Sequence, residues 1–419
     1  MTAVLVLLGL LSLGTLASRR GFAAFVFSQV STPILLGVGM LCAPNALNLL
    51  NDDTLGALEP ALRVGAAWLA LLIGARGMQP RLSRSYLQRG WSALLAAVYT
   101  WAGLALVTYG MIFLLDRTQQ GFDATTTRLN AVGAAVLLGG LTAQTGLGMT
   151  CEALANLAPH RSHRVLRFLC RHDEAAGAIA LCLALWLWPL PEQAGLYKES
   201  WQAAIGVVVL GLGFGVVHHV VARGAEDMRV RVVGLIGMVI LLAGVALDLR
   251  LPEAAIAFFF GVTLGMSGQG QKLLSHGLGR TERPVRMVLL VLLGAQLKFT
   301  VAAVLLGFLV AITRMLLKVG LRNAFLDDND DPQKTLPLRA LIPAGGTAVP
   351  FALSFALSRG NALATSEILT AVAIAVTVTE VVTMLDWRLS GASSHFDAID
   401  VVTLDASAPP TIDDEGGAA

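Results

Sequence analysis

Apolar runs of bilayer-spanning length return along almost the whole chain, and this recurrence constrains the fold more than any single motif. A helix needs about 20 predominantly apolar residues to cross the hydrocarbon layer. On that rule thirteen spans fall near residues 2–17, 22–43, 57–78, 91–115, 129–157, 165–190, 201–221, 230–248, 252–268, 284–297, 299–319, 336–358 and 362–387. The tenth is the weakest, being short and tightly joined to the eleventh. Composition supports the reading: 55% of the 419 residues are hydrophobic and 14% charged, where a soluble domain is about a quarter charged. The expected fold is an all-α polytopic membrane protein, with too little polar sequence left for a second large domain.

The basic residues test the count. Loops after odd-numbered spans hold eighteen Lys and Arg, loops after even-numbered spans only six. Cytoplasmic loops carry such an excess, so the N-terminus is expected outside and the C-terminus inside. The first apolar run is followed by Ser18-Arg19-Arg20, whereas a cleaved signal peptide carries its charge in front. Residues 2–17 are therefore read as a first spanning helix. The division expected is a transmembrane domain over 1–388 and a disordered acidic cytoplasmic tail over 389–419. That tail has six acids and no Lys or Arg, and it cannot bury a core. The loop DDNDD at 327–331 lacks the spaced ligands and closing Glu of a calcium loop. Cys42, Cys151, Cys170 and Cys182 lie in apolar segments without metal-ligand spacing and read as small core residues. Neither a cofactor nor a nucleic-acid partner is expected.

Asp173 and Glu174 stand side by side within the sixth span. On insertion scales an Asp at a helix centre costs roughly 2.5–3.5 kcal/mol. Two in a row therefore mark an ion or proton site. In the fifth span, GGLTAQTGLGMT at 139–150 sets small residues, Thr142, Gln144 and Thr145 in mid-membrane. Such residues support a local break whose carbonyls and side-chain oxygens face a cavity. The twelfth span has a matching fault, PAGGTAVP at 343–350, with Gly345, Gly346 and Thr347 between two prolines. Proline removes a donor and clashes with the preceding turn, so the helix is interrupted there. Close helix packing is the plainer reading of each stretch taken singly, but their corresponding positions in two halves point to inverted repeats with broken helices. Arg314 lies in the eleventh span, about 9 Å from the cytoplasmic end by helical rise, and Asp173 about 13 Å from it. A salt bridge between them is expected, with snorkelling of Arg314 to the surface as the alternative.

These features, in this order, resemble the monovalent cation:proton antiporter superfamily of sodium/proton exchanger type. The segments that carry the resemblance are GGLTAQTGLGMT, RHDEAAGAIAL, AITRMLLKVGL and LIPAGGTAVPFAL, with EPALRVGAAWLALLIGARGMQPRL and LRLPEAAIAFFFGVTLGM as weaker matches. The resemblance covers the chain to about residue 387; its specificity lies in the order, not in any one motif. It implies a dimerisation scaffold and a mobile core that holds both broken helices and carries the ion by an elevator-like movement. It implies a homodimer, with a monovalent cation (Na⁺ or K⁺) and protons as substrates. In one register Glu174 binds cation and proton alternately, while Asp173 pairs with Arg314. In the other, His172 and Asp173 fall on the family's acid pair and Asp173 is the carrier.

Burial raises a carboxyl pKa toward neutrality and a neighbouring Arg lowers that of its partner, so either register allows cation and proton to compete for one group. The chain departs from the family in two places. Glu174 replaces the usual second Asp, and Arg314 stands where electrogenic members have Lys, which unlike Arg can give up its proton. Carriage of a small anion or organic solute on the same architecture, and a non-transporting relative acting as sensor, are the alternatives. An enzyme is not expected: HExxH, Gly-x-Gly-Asp and GxSxG are all missing. Among other polar residues, His218 and His219 read as interfacial, with pH sensing as the alternative. Arg63 and Arg76 read as flanking the third span, and Glu152 and Glu380 as facing protein or the cytoplasmic boundary. The bacterial inner membrane is the expected location.

Overall fold

The computed structural model describes residues 31–77, 84–117, 128–145, 175–188, 199–224, 227–267, 270, 279–325, 348–359 and 363–389. Among the described residues there are twelve α-helices. They are α1 (Ser31–Cys42), α2 (Asp52–Gly77), α3 (Arg84–Arg117), α4 (Arg128–Ala143), α5 (Ala175–Leu187) and α6 (Ser200–Arg223). The rest are α7 (Met228–Asp248), α8 (Glu253–Met266), α9 (Gly279–Gly294), α10 (Val301–Phe325), α11 (Ala348–Ser358) and α12 (Leu363–Leu389). Every expected span from the second onward overlaps one of them. The first span, the residues after Thr145 in the fifth, and the acidic tail from Ser390 lie outside the described residues, as do Glu152 and the loop at 327–331. Among the described residues six helices are long and apolar enough to cross a membrane by length and composition, and the protein is an all-α polytopic membrane protein.

Local chemistry sets several helix starts. Asn51 Oδ1 accepts from the Thr54 amide at 2.8 Å, ahead of Asp52 and Asp53 in the first turn of α2. Both features favour the positive end of the helix dipole. Asp227 caps α7 by accepting from the Arg229 amide at 3.0 Å. Pro252 closes the chain into α8, whose first residue is Glu253.

The helices sort into two bundles by their packing. One joins α2 with α8, α8 with α6 and α7, and α1 with α9, which in turn packs on α2. Its tightest contact is α2 on α8: a Cβ on Gly261 would collide with the Leu71 carbonyl, and one on Gly74 with the Phe258 carbonyl. Small residues thus bring two backbones together, the usual device where no hydrophobic effect drives helices against each other in lipid. The other bundle joins α3 with α4, α10 with α3 and α12, and α11 with α12 and α4. Helix α5 runs along α4 through Gly133 against Trp188, Gly140 against Ala180, and Gln144 against Gly177. Along this series the positions rise on α4 and fall on α5, so the two helices are antiparallel. The bundles meet where α11 touches α2 and α8, and where α12 touches α1.

Helices α6 and α7 bury only 22% and 28% of their apolar windows. Val209, Val220, Val233 and Ile240 are exposed on them, as suits helices with one side in lipid.

Candidate functional site

Helix α4 stops in the middle of its apolar run. Ala143 is its last residue, Gln144 is non-helical and Thr145 sits in an isolated β-bridge. Thr142, Gln144 and Thr145 are each 0% exposed, so the break is interior. The helix thus ends inside the stretch 139–150 where the Thr, Gln and Gly content predicts a break; the residues after Thr145 lie outside the described residues. The last carbonyls of a helix lack intrahelical partners, and here one finds an unusual one: the Arg314 guanidinium donates through Nη1 to the Thr142 carbonyl.

Arg314 comes from the middle of α10 and is itself 0% exposed. It is therefore an interior cation aimed at a helix C-terminus, where the macrodipole favours positive charge, and not a snorkelling one. Lys318, one turn further along α10, is 5% exposed. The expected eleventh span ends at 319, one residue past it, whereas α10 runs on to Phe325, so the lysine lies well inside the helix. The Thr142 hydroxyl donates to the Leu138 carbonyl at 2.6 Å within its own helix. What Thr142 offers the site is its carbonyl.

The carboxylates expected here, Asp173 and Glu174, lie outside the described residues, as do His172, Gly345, Gly346 and Thr347. Helix α5 begins at Ala175, directly after the acid pair, and α11 begins at Ala348, inside PAGGTAVP, so that Pro350 falls in its first turn. The structure thus brings together Arg314 and the Thr142–Gln144–Thr145 break.

A second polar cluster crosses between the bundles, and sequence reasoning missed it. Arg63 is 4% exposed in the body of α2, so it does not flank a span. It donates through Nη1 to Glu253 Oε2 at 3.1 Å, through Nη2 to Glu59 Oε1 at 2.7 Å, and through Nη2 to the Leu357 carbonyl of α11 at 2.9 Å. Beside it the Ala254 amide donates to Ser354 Oγ at 3.0 Å. The signal available was Glu253 at the head of an apolar run, behind a proline.

On α12, Glu380 is 2% exposed and accepts from the Thr32 hydroxyl of α1 at 2.8 Å. Thirteen residues earlier, Glu367 accepts from the Thr300 hydroxyl at 2.9 Å. Arg359 donates to the Trp188 carbonyl at 3.2 Å, and its guanidinium lies 5.6 Å from the centre of the Phe355 ring. His218, near the end of α6, is 3% exposed and packs against α8, its ring centroid 5.7 Å from that of Phe260. Arg76 does sit at a helix end, paired with Glu282 at 2.5 Å and partly exposed.

Compared with solved structures, the chain is similar to the sodium proton antiporter MjNhaP1 from Methanocaldococcus jannaschii at pH 8. The identity is 17% and the TM-score 0.61, over 92% of this chain and 96% of that one. An electron-microscopy structure of the same archaeal antiporter matches at 16% identity and TM-score 0.56, over 97% and 99% of the two chains. No family model matches the sequence, nor does any curated protein. The fold is that of a sodium/proton antiporter, and it covers nearly the full length of both proteins.

Proposed function

We propose that this protein exchanges a monovalent cation, Na⁺ or K⁺, for protons across a membrane by alternating access. The single observation that carries the reading is the buried Arg314 guanidinium on the broken end of α4, within an antiporter fold. A helix broken in mid-membrane exposes carbonyl oxygens that can meet a dehydrated cation. A fixed cation beside that break calls for a carboxylate partner, since an uncompensated buried charge is strongly unfavourable.

In this reading Asp173 or Glu174 binds cation and proton in alternation, and the other acid pairs with Arg314. Gly345, Gly346 and Thr347 line the site from the second break. Competition of the two ions for one carboxylate couples their fluxes without further machinery. Arg314 stays charged throughout, so it takes no part in moving protons. The protein acts as a homodimer in the bacterial inner membrane, with its N-terminus outside and its C-terminus in the cytoplasm, and is not an enzyme.

The test is cation-driven proton movement in proteoliposomes or everted vesicles, with Na⁺, K⁺ and Li⁺ added in turn. Dequenching by one cation, lost in Glu174→Gln, establishes exchange and makes Glu174 the carrier. Activity retained in Glu174→Gln and lost in Asp173→Asn transfers that role to Asp173. No response to any of the three cations overturns the exchanger reading. Carriage of a small anion then stands on the two buried cations of α10, Arg314 and Lys318.

A further inference from the structure

Gly177 is the third residue of α5, and the side chain of Gln144 lies against it. A Cβ built on Gly177 would overlap Gln144 Nε2 and stand 2.5 Å from its Cδ and 3.1 Å from its Cγ. The missing side chain thus leaves a notch in α5, and the carboxamide of Gln144 fills it. The packing beside the notch is tight. One turn along each helix, a Cβ on Gly140 would overlap the Ala180 Cβ, so α4 and α5 are already in close backbone contact. Gln144 is also 0% exposed. A methyl group at 177 must therefore displace the amide itself.

We propose that Gly177 is a positioning residue: its notch seats the Gln144 carboxamide and so fixes where that amide presents its oxygen at the helix break. A carboxamide offers a neutral acceptor suited to a monovalent cation, and two N–H donors suited to a carboxylate. Only Ala175 and Ala176 separate Gly177 from Glu174 in sequence, so the seat joins the α4 break to the helix that follows the acid pair. What the seated amide serves rests on the exchange reading above; the seating itself does not.

The experiment is a double-mutant cycle over Gly177→Ala and Gln144→Ala in the full-length protein, read by thermal unfolding in detergent and by cation-driven proton flux in proteoliposomes. Alanine favours a helix over glycine, so without the amide in its way Gly177→Ala should raise the unfolding temperature. The expected result is a sign change: Gly177→Ala lowers the unfolding temperature when Gln144 is present and raises it in the Gln144→Ala background. In transport, Gly177→Ala raises KM for the cation about tenfold with kcat little changed, and adds nothing to the KM of Gln144→Ala. Equal thermal effects in both backgrounds, or an unchanged KM in Gly177→Ala, overturn the proposal. If Gly177→Ala alone does not fold, folding of the double variant supports the seat and failure of both overturns it. A wild type that moves no cation sinks the exchange reading, and the thermal cycle still decides the seating.

Discussion

Arg63 of α2 and Glu253 of α8 form an ion pair closed off from solvent, Nη1 to Oε2 at 3.1 Å, with the two side chains 5% and 0% exposed. Removing one partner of a buried pair strands the other charge, at a cost of about 3–5 kcal/mol. Glu253→Ala should lower stability in detergent by less than that full range, because Glu59, 37% exposed, still pairs with Arg63. Arg63→Met combined with Glu253→Leu removes both charges together and should recover most of the loss. Thermal unfolding of the three variants checks this; equal losses in single and double variants would contradict it.

The same cluster exchanges helix caps between bundles. Arg63 donates to the Leu357 carbonyl in the last turn of α11, and the Ala254 amide in the first turn of α8 donates to Ser354 Oγ. Each of these backbone groups lies where a helix leaves its own donors or acceptors unmatched. Ser354→Ala, on a residue 0% exposed, should cost about 1–3 kcal/mol, the range for stranding a buried donor. Ser354→Thr keeps the acceptor and should lose less. Chemical unfolding of the two variants side by side would show whether the hydroxyl or merely the packing matters.

Glycines of the first bundle fall into two kinds. A Cβ on Gly261 would strike the Leu71 carbonyl, which is backbone and cannot swing aside. Gly261→Ala should therefore destabilise by about 1–3 kcal/mol, the usual cost of overpacking. Gly237, in α7, has nothing within 4 Å of the place a methyl group would take, and Gly237→Ala should stabilise the helix by about 0.5–1 kcal/mol. Opposite shifts in unfolding temperature are the expected result, and a loss in both would mean that α7 packs against something further.

The spans were legible because apolar length leaves a helix few alternatives in a bilayer, and the break in α4 was legible because Thr, Gln and Gly sit badly in a lipid-facing run. Arg314 was legible for the same reason, as a charge too deep to be ornamental. Lys318 was not: four residues further along, at the edge of the expected span, it looks like a charge at the cytoplasmic end, yet α10 runs on past it to Phe325. Arg63 and Glu253 were missed because 190 residues of sequence separate them, and each alone resembles an ordinary charge near a helix end. Their pairing is a fact of tertiary packing. The hydroxyl of Thr142 is expected from sequence to line the site, but the helix itself claims it.

That last point separates two roles at one residue. Thr142 gives its carbonyl to Arg314 and its hydroxyl to the Leu138 carbonyl, a group already within the helix ladder. Thr142→Val keeps shape and carbonyl, so Arg314 retains its anchor. Stability should change by less than about 1.5 kcal/mol, the worth of an ordinary hydrogen bond, and KM for the transported cation by less than about tenfold. Arg314→Met removes the cation from the broken helix end and from its expected acid partner together. It should abolish flux and cost about 3–5 kcal/mol by leaving that acid uncompensated. Arg314→Lys preserves charge but is a compact ammonium without the planar fork, so it should fold better than Arg314→Met while transporting poorly. Flux and unfolding measured on all three variants test the division: a Thr142→Val as damaged as Arg314→Met would return the hydroxyl to the site.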